Sequence, residues 1–362
     1  MFPDVTYPIE TPPAPGKTIE VAPGIKWLQM PLSFSINHIN LYLLEDGDGW
    51  TIIDTGIRDE GVQKIWEDIF DNELDGKPVK RVIVTHMHPD HIGNAGWICK
   101  RWDVELFMSR TEFFHARGLM AEHRDGYSED ALRFLQRVGL GDETIEAIRS
   151  AGTGNYRRIT ETLPIGYRRL LDGEDIKIGD RVWQIITGSG HSPEHVCLYN
   201  AELDILISGD QVLPRITSNV SVYALEPEEN PMKFWLASHE KFKSIPSTAF
   251  VLPSHNRPFY GLHDRLDYLI HHHEDRMEAL EEACVDPQKA TDLLGVLFNR
   301  ELSSFQMMLA VGECVAHLHC LMDRGRIVRT LAEDGAYRYQ TLDPTVTQHH
   351  AHDPLDDAPM QV

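Results

Sequence analysis

The stretch Thr85-His86-Met87-His88-Pro89-Asp90-His91 constrains this chain more than any other. Three histidines and an aspartate fall within six positions, directly after Val79-Lys80-Arg81-Val82-Ile83-Val84, a run that reads as a buried strand. Ile92-Gly93-Asn94-Ala95-Gly96 follows as a small-residue turn opening a helical pattern. The cluster therefore sits on a strand-end loop, where a sheet can hold ligands in fixed geometry. Imidazole and carboxylate donors suit zinc and other first-row metals.

Three further ligand types stand in similar settings. His191 follows Val182-Trp183-Gln184-Ile185-Ile186, Asp210 follows Ile205-Leu206-Ile207, and His255 follows Phe250-Val251-Leu252. Four strands thus each end in a residue able to bind a metal. A fifth, Ile52-Ile53-Asp54-Thr55-Gly56, ends in Asp54.

From about Ile25 to about Pro258, these five pieces and their order resemble a metallo-β-lactamase-fold hydrolase. The resemblance implies an α/β fold, a four-layer αββα sandwich. It also implies a first metal held by His86, His88 and His191, a second held by Asp90, His91 and His255, and Asp210 bridging the two. Two divalent ions are expected, with zinc first and iron or manganese accepted by the same donors. A bridging aspartate is similar to the glyoxalase II and lactonase branches and argues against β-lactam hydrolysis except as a promiscuous activity. The implied chemistry is attack by a metal-bridging hydroxide on a small ester-like bond: a thioester of the hydroxyacylglutathione or acyl-CoA kind, or a lactone. Asp90 is both a ligand and the proton carrier for the leaving group. A ribonuclease of the same fold is the alternative. Iron relatives with a flavin domain do redox chemistry, but no flavin module is visible here.

Charge bears on that choice. Lys+Arg 34 against Asp+Glu 56 gives a net charge of −22, which repels phosphate backbones and argues against a nucleic-acid partner. A small-molecule substrate is expected instead. Arg157-Arg158 and Arg168-Arg169 are candidate cations for an anionic thioester, although surface salt bridges are the commoner fate of such pairs. Five scattered cysteines, an odd number without a Cys-x-x-Cys pair, point to a reducing, cytoplasmic compartment. No apolar segment resembles a secretory signal or a membrane span.

The chain divides into a proline-rich arm over residues 1–24, extended and poorly ordered or packed along the surface, and a main domain over 25–263. A helical insertion over about 111–161 is expected either to cover the metal cleft or to pack outside the sheet. Residues 264–345 read as helix, helix, hairpin, a winged-helix-like module suited to packing or homodimerisation. Residues 346–362 read as a disordered tail, whose His349, His350 and His352 would bind metal only incidentally.

Single residues carry further expectations. Asp54 is either a further ligand or, as favoured, the acceptor that orients a ligand histidine. His195 is read as structural or supporting. In the loop after Asp210, Arg215, Ser218, Asn219 and Tyr223 are candidate substrate contacts, with ordinary loop roles as the alternative. His271-His272-His273 point in different directions on a helix, cannot share one ion, and are expected to be mostly solvated. His115 and His123 are expected to be solvated too.

Overall fold

Trp50-Thr51-Ile52-Ile53 and the Val79 run are β-branched and aromatic, and they form the centre of a seven-stranded sheet. The computed structural model describes residues 4–33, 36–122, 126–151, 156–299, 302, 304–343 and 345. The strand order is β1 (Ile19–Ala22), β2 (Ile25–Pro31), β3 (His38–Asp46), β4 (Gly49–Ile53), β5 (Val79–Ile83), β6 (Glu105–Met108) and β7 (Arg168–Arg169). Pairing is antiparallel from β1 to β4 and parallel from β4 to β7. A second sheet holds β8 (Asp175–Ile178), β9 (Arg181–Gly188), β10 (His195–Asn200), β11 (Ile205–Gly209) and β12 (Phe250–Pro253). It is antiparallel except for β11 beside β12.

One apolar cluster joins the inner faces of the two sheets: Trp27, Tyr42, Ile53 and Ile83 from the first meet Trp183, Ile185, Leu198, Ile207 and Leu252 from the second. A second cluster lies on the other face of the first sheet, where Leu41, Ile52 and Val82 meet helices α1 (Glu60–Asn72), α3 (Ala95–Trp102) and α4 (Arg110–Ala121); the short α2 (Pro89–Ile92) belongs to the metal loop. Asp59 starts α1 by accepting from Gly61 N and Val62 N. Val62, Trp66, Ile69 and Phe70 give that helix its buried face. Full burial of Trp66 contributes on the order of 2–3 kcal/mol. This is the mixed α/β sandwich expected from the sequence.

The chain separates into two units, of residues 1–122, 155–215 and 242–266, and of residues 123–154, 216–241 and 267–362. The second contains α5 (Glu129–Arg137), α6 (Asp142–Ala151), most of α7 (Pro231–Phe242) and of α8 (Leu262–Ala283), α9 (Leu294–Leu297), α10 (Ser304–Asp323), and an antiparallel hairpin of β13 (Ile327–Leu331) and β14 (Tyr337–Thr341). Its core collects Leu132, Leu135 and Ile148 from the insertion with Trp235, Leu280, Val315, Leu318 and Tyr339. The middle of the insertion therefore folds with the C-terminal segment, a grouping that the linear division above does not contain.

The N-terminal arm contains β1, which pairs with β2, and Thr6 pairs with Tyr260, so the arm takes the packed one of its two expected forms. One expectation is revised, that of a mostly solvated His271-His272-His273 run. His272 and His273 are buried and only His271 is exposed, because His273 falls on the apolar stripe of α8 with Leu269, Met277 and Leu280. The expectations for His123 and the 346–362 tail lie outside the described residues.

Candidate metal centre

The parallel pairs β4/β5 and β11/β12 put adjacent strand ends side by side, and the ligand-type residues occupy them. The two sheets are tied together there. Val196 N donates to Thr85 O at 2.9 Å, and Asn40 N donates to Ser254 O at 2.6 Å. Asn40 Nδ2 and the Tyr42 hydroxyl both donate to Pro253 O, fixing the strand that delivers His255.

Two groups of donors result. His86, His88, His191 and Asp210 form one, and Asp90, His91 and His255 the other, each with ligand atoms within 4.8 Å of one another. Asp210 stands between them. Its Oδ2 lies 3.3 Å from both His191 Nε2 and His91 Nε2 and 3.8 Å from His86 Nε2, while its Oδ1 lies 3.5 Å from His255 Nε2. Asp90 Oδ2 is 3.5 Å from His91 Nε2 and from His255 Nε2. Six of the seven side chains are buried and His88 is half-buried.

The histidine tautomers follow from their outer hydrogen bonds. His91 Nδ1 donates to Asp54 Oδ2 at 2.7 Å, and His255 Nδ1 donates to His38 O at 2.9 Å. Each ring thereby turns its Nε2 toward the carboxylates. Those two Nε2 atoms are buried and make no hydrogen bond among the described residues. Buried nitrogens without a proton partner, gathered around two carboxylates, fit a divalent cation. Burial pulls the His91 pKa down, but Asp210, Asp90 and Asp54 outweigh it and hold it well above its usual value. Burial pushes Asp210 up, but the charges of His91 and His255 beside it hold it well below the carboxylate range. His86 is depressed by burial and by the neighbouring His91 and His88.

Asp54 supports this centre from a left-handed backbone position, φ 59°, which aspartate tolerates better than most residues. Its Oδ1 accepts from Thr85 N at 2.8 Å and its Oδ2 from Thr85 Oγ1 at 2.9 Å, so one carboxylate orients His91 and the root of the His86 loop. His195 stacks on His86 with ring centroids 4.6 Å apart, and its Nε2 accepts from Asp210 N at 3.0 Å. Gly209 makes room for it: φ is 53°, and a Cβ there would collide with the His195 ring.

Sequence reasoning passed over Glu112. This buried carboxylate on α4 accepts from Met87 N at 2.9 Å, from Ser192 Oγ at 2.7 Å and from Glu194 N at 2.8 Å. It clamps the His86–His88 loop to the His191 loop. The Tyr156 hydroxyl holds the same loop by donating to Met87 O.

The remaining candidates scatter. Arg215 is exposed in the first unit. Asn219 and Tyr223 belong to the second, where Asn219 Nδ2 donates to Glu313 Oε2 and Tyr223 Oη donates to Asn219 Oδ1. Ser218, also in the second unit, is buried. Arg168 pairs with Glu105 at 2.9 Å and Arg169 lies 3.9 Å from Glu194, while Arg58 donates to Arg157 O. All five cysteines are buried thiols, and no described helix is long and apolar enough to cross a membrane.

Comparison with known proteins agrees with this geometry. A family profile described as "Metallo-beta-lactamase superfamily" matches residues 36–281, and one described as "Metallo-beta-lactamase-like, C-terminal domain" matches residues 277–342. The chain is similar to the crystal structure of a beta-lactamase domain protein from Burkholderia ambifaria, at 43% identity and a TM-score of 0.86, covering 93% of this chain and 97% of that one. It is 22% identical to the probable metallo-hydrolase YqjP of Bacillus subtilis over 81% of this chain and 91% of that protein. It is 26% identical to the human acyl-coenzyme A thioesterase MBLAC2, over 52% of this chain and 63% of that protein. With the family profile spanning most of the sandwich and every one of the seven donors, the chain belongs to the metallo-beta-lactamase superfamily.

Proposed function

We propose that this protein is a dinuclear metal-dependent hydrolase of small acyl compounds, with thioesters as the leading substrate class. The observation that carries the proposal is the placement of Asp210 between the two donor groups, its carboxylate 3.3 Å from His191 Nε2 of the first and 3.3 Å and 3.5 Å from His91 Nε2 and His255 Nε2 of the second. Two divalent ions held by these groups, zinc first among them, would lower the pKa of a shared water toward neutrality and polarise the acyl carbonyl.

The chain's own residues do the rest. Asp54 and the His38 carbonyl keep His91 and His255 in the tautomers that leave Nε2 facing inward. Glu112 and His195 hold the loops and Asp210 in place. Asp90, at the inner edge of the second group, takes a proton from the attacking water and returns it to the leaving thiolate or alkoxide. Burial keeps bulk water away from these carboxylates. Among the proposed substrate contacts, Arg215 has no carboxylate partner among the described residues, whereas Asn219 and Tyr223 hydrogen-bond each other. The likeness to an acyl-coenzyme A thioesterase supports the thioester reading.

The test is a panel of a thioester, a lactone, a β-lactam and single-stranded RNA, offered to metal-free and zinc-loaded protein. Metal-dependent thioester turnover exceeding all other arms is the expected result. RNA cleavage without acyl hydrolysis would replace the proposal.

A further inference from the structure

A cleft of about 460 Å³ in the first unit opens beside the metal centre. Its walls include Tyr7 and Pro12 of the N-terminal arm, His38 of β3, and Arg215, Asn256 and Arg257. The centre and the cleft share a wall. Asn256 follows the donor His255 directly, the His38 carbonyl takes the His255 Nδ1 proton, and the two rings stand 6.5 Å apart. Arg215 lies five residues beyond Asp210.

The charge in this cleft is unusual for a chain of net charge −22. Neither Arg215 nor Arg257 forms an ion pair among the described residues. Arg257 stacks on Tyr7, its guanidinium carbon 4.5 Å from the ring centre, and donates to Glu10 O. These contacts fix the guanidinium while leaving its charge uncompensated. Tyr7 feels the same field: burial raises its pKa, and Arg215, Arg265 and Arg257 all oppose the rise. By contrast Arg168 and Arg58 are engaged with Glu105 and Glu161. An arm of prolines pays little entropy to hold one wall of the cleft, and its Thr6–Tyr260 pairing anchors it.

Resting on the acyl-hydrolase reading above, we propose that Arg215 and Arg257 form an anchoring subsite for an oxyanion on the substrate, a carboxylate or a phosphate carried away from the scissile carbonyl. The pair selects charged acyl compounds and sets KM rather than the chemical step, since it does not touch the reacting atoms.

Two measurements test it. First, isothermal titration calorimetry at low ionic strength follows inorganic phosphate and propionate binding to the metal-free protein, so that neither metal nor turnover is involved. At least one anion should bind, Arg215→Ala with Arg257→Ala should abolish the heat, and the Arg215→Lys with Arg257→Lys chain should recover part of it. Second, zinc-loaded protein is assayed on a neutral thioester, a 3-mercaptopropionate thioester and a coenzyme A thioester. Each Arg→Ala change should raise KM for a charged substrate about tenfold with kcat unchanged, and leave the neutral thioester alone. Preference for the second or third substrate assigns carboxylate or phosphate. The subsite is overturned if neither anion binds the wild type, if the double Ala variant binds as the wild type does, or if KM rises equally for the neutral thioester. If no thioester is turned over, the acyl-hydrolase reading fails while the calorimetry still decides the subsite.

Discussion

Glu112 accepts a hydrogen bond from Met87 N at 2.9 Å, across a gap of 25 residues, and the same carboxylate takes the Ser192 hydroxyl from 80 residues further along. One buried side chain thereby holds together the two loops that carry His86, His88 and His191. Removing its charge while keeping its shape should loosen the first donor group without unfolding the sandwich. Glu112→Gln is expected to lower zinc affinity about tenfold to a hundredfold, the range typical of residues that support metal ligands. A chelator competition titration of the folded variant measures this, and unchanged affinity would contradict the clamp.

Asp54 offers a cleaner substitution. Asparagine also tolerates the left-handed backbone at this position, so Asp54→Asn keeps the turn and replaces the oxygen that His91 and the Thr85 hydroxyl share. Losing the carboxylate weakens the hold on the His91 tautomer. Zinc affinity should fall about tenfold or more, with thermal stability of the metal-free protein changed by roughly 1–2 kcal/mol. Competition titration beside thermal melting separates the two effects.

The second unit should be acid-sensitive. His273 Nδ1 lies 3.0 Å from His317 Nε2, and both rings are buried. Burial, then His272 and His317, depress the His273 pKa, and burial holds His317 down to about 3. Both groups are neutral when folded and take up protons on unfolding. Their contribution is complete above the ordinary histidine pKa near 6.5 and declines as pH falls toward the folded values. At pH 5 the loss for His317 is on the order of 2 kcal/mol, and His273 adds to it in the same direction. Urea midpoints at pH 7 and pH 5 check this, and His317→Leu should roughly halve the dependence, because leucine does not titrate.

Gly209 tests the support of Asp210. An added methyl group would collide with the His195 ring, which accepts the Asp210 N–H. Gly209→Ala should destabilise the protein by on the order of 2 kcal/mol and reduce bound zinc, read by melting and metal analysis.

The sequence made the strand ends legible because buried strands are short apolar runs and ligand-type residues stand out at their ends. His86 through His91, His191, Asp210 and His255 were all visible this way. Glu112 was not, because its partners lie 25 and 80 residues away and a glutamate on a helix ordinarily faces water. The burial of His273 is carried by its spacing from Leu269, Met277 and Leu280, an apolar stripe that a run of three adjacent histidines obscures in the sequence. The union of Leu132 and Leu135 with Leu280 and Val315 was hidden, since periodicity shows that a helix has an apolar face and not what covers it.

The most direct test of the central claim is thioester hydrolysis by metal-free protein titrated with zinc. Activity should be absent without metal and rise to a plateau at about two equivalents per chain. Full activity in the metal-free protein, or a plateau at a single equivalent, would contradict a centre in which Asp210 joins two ions.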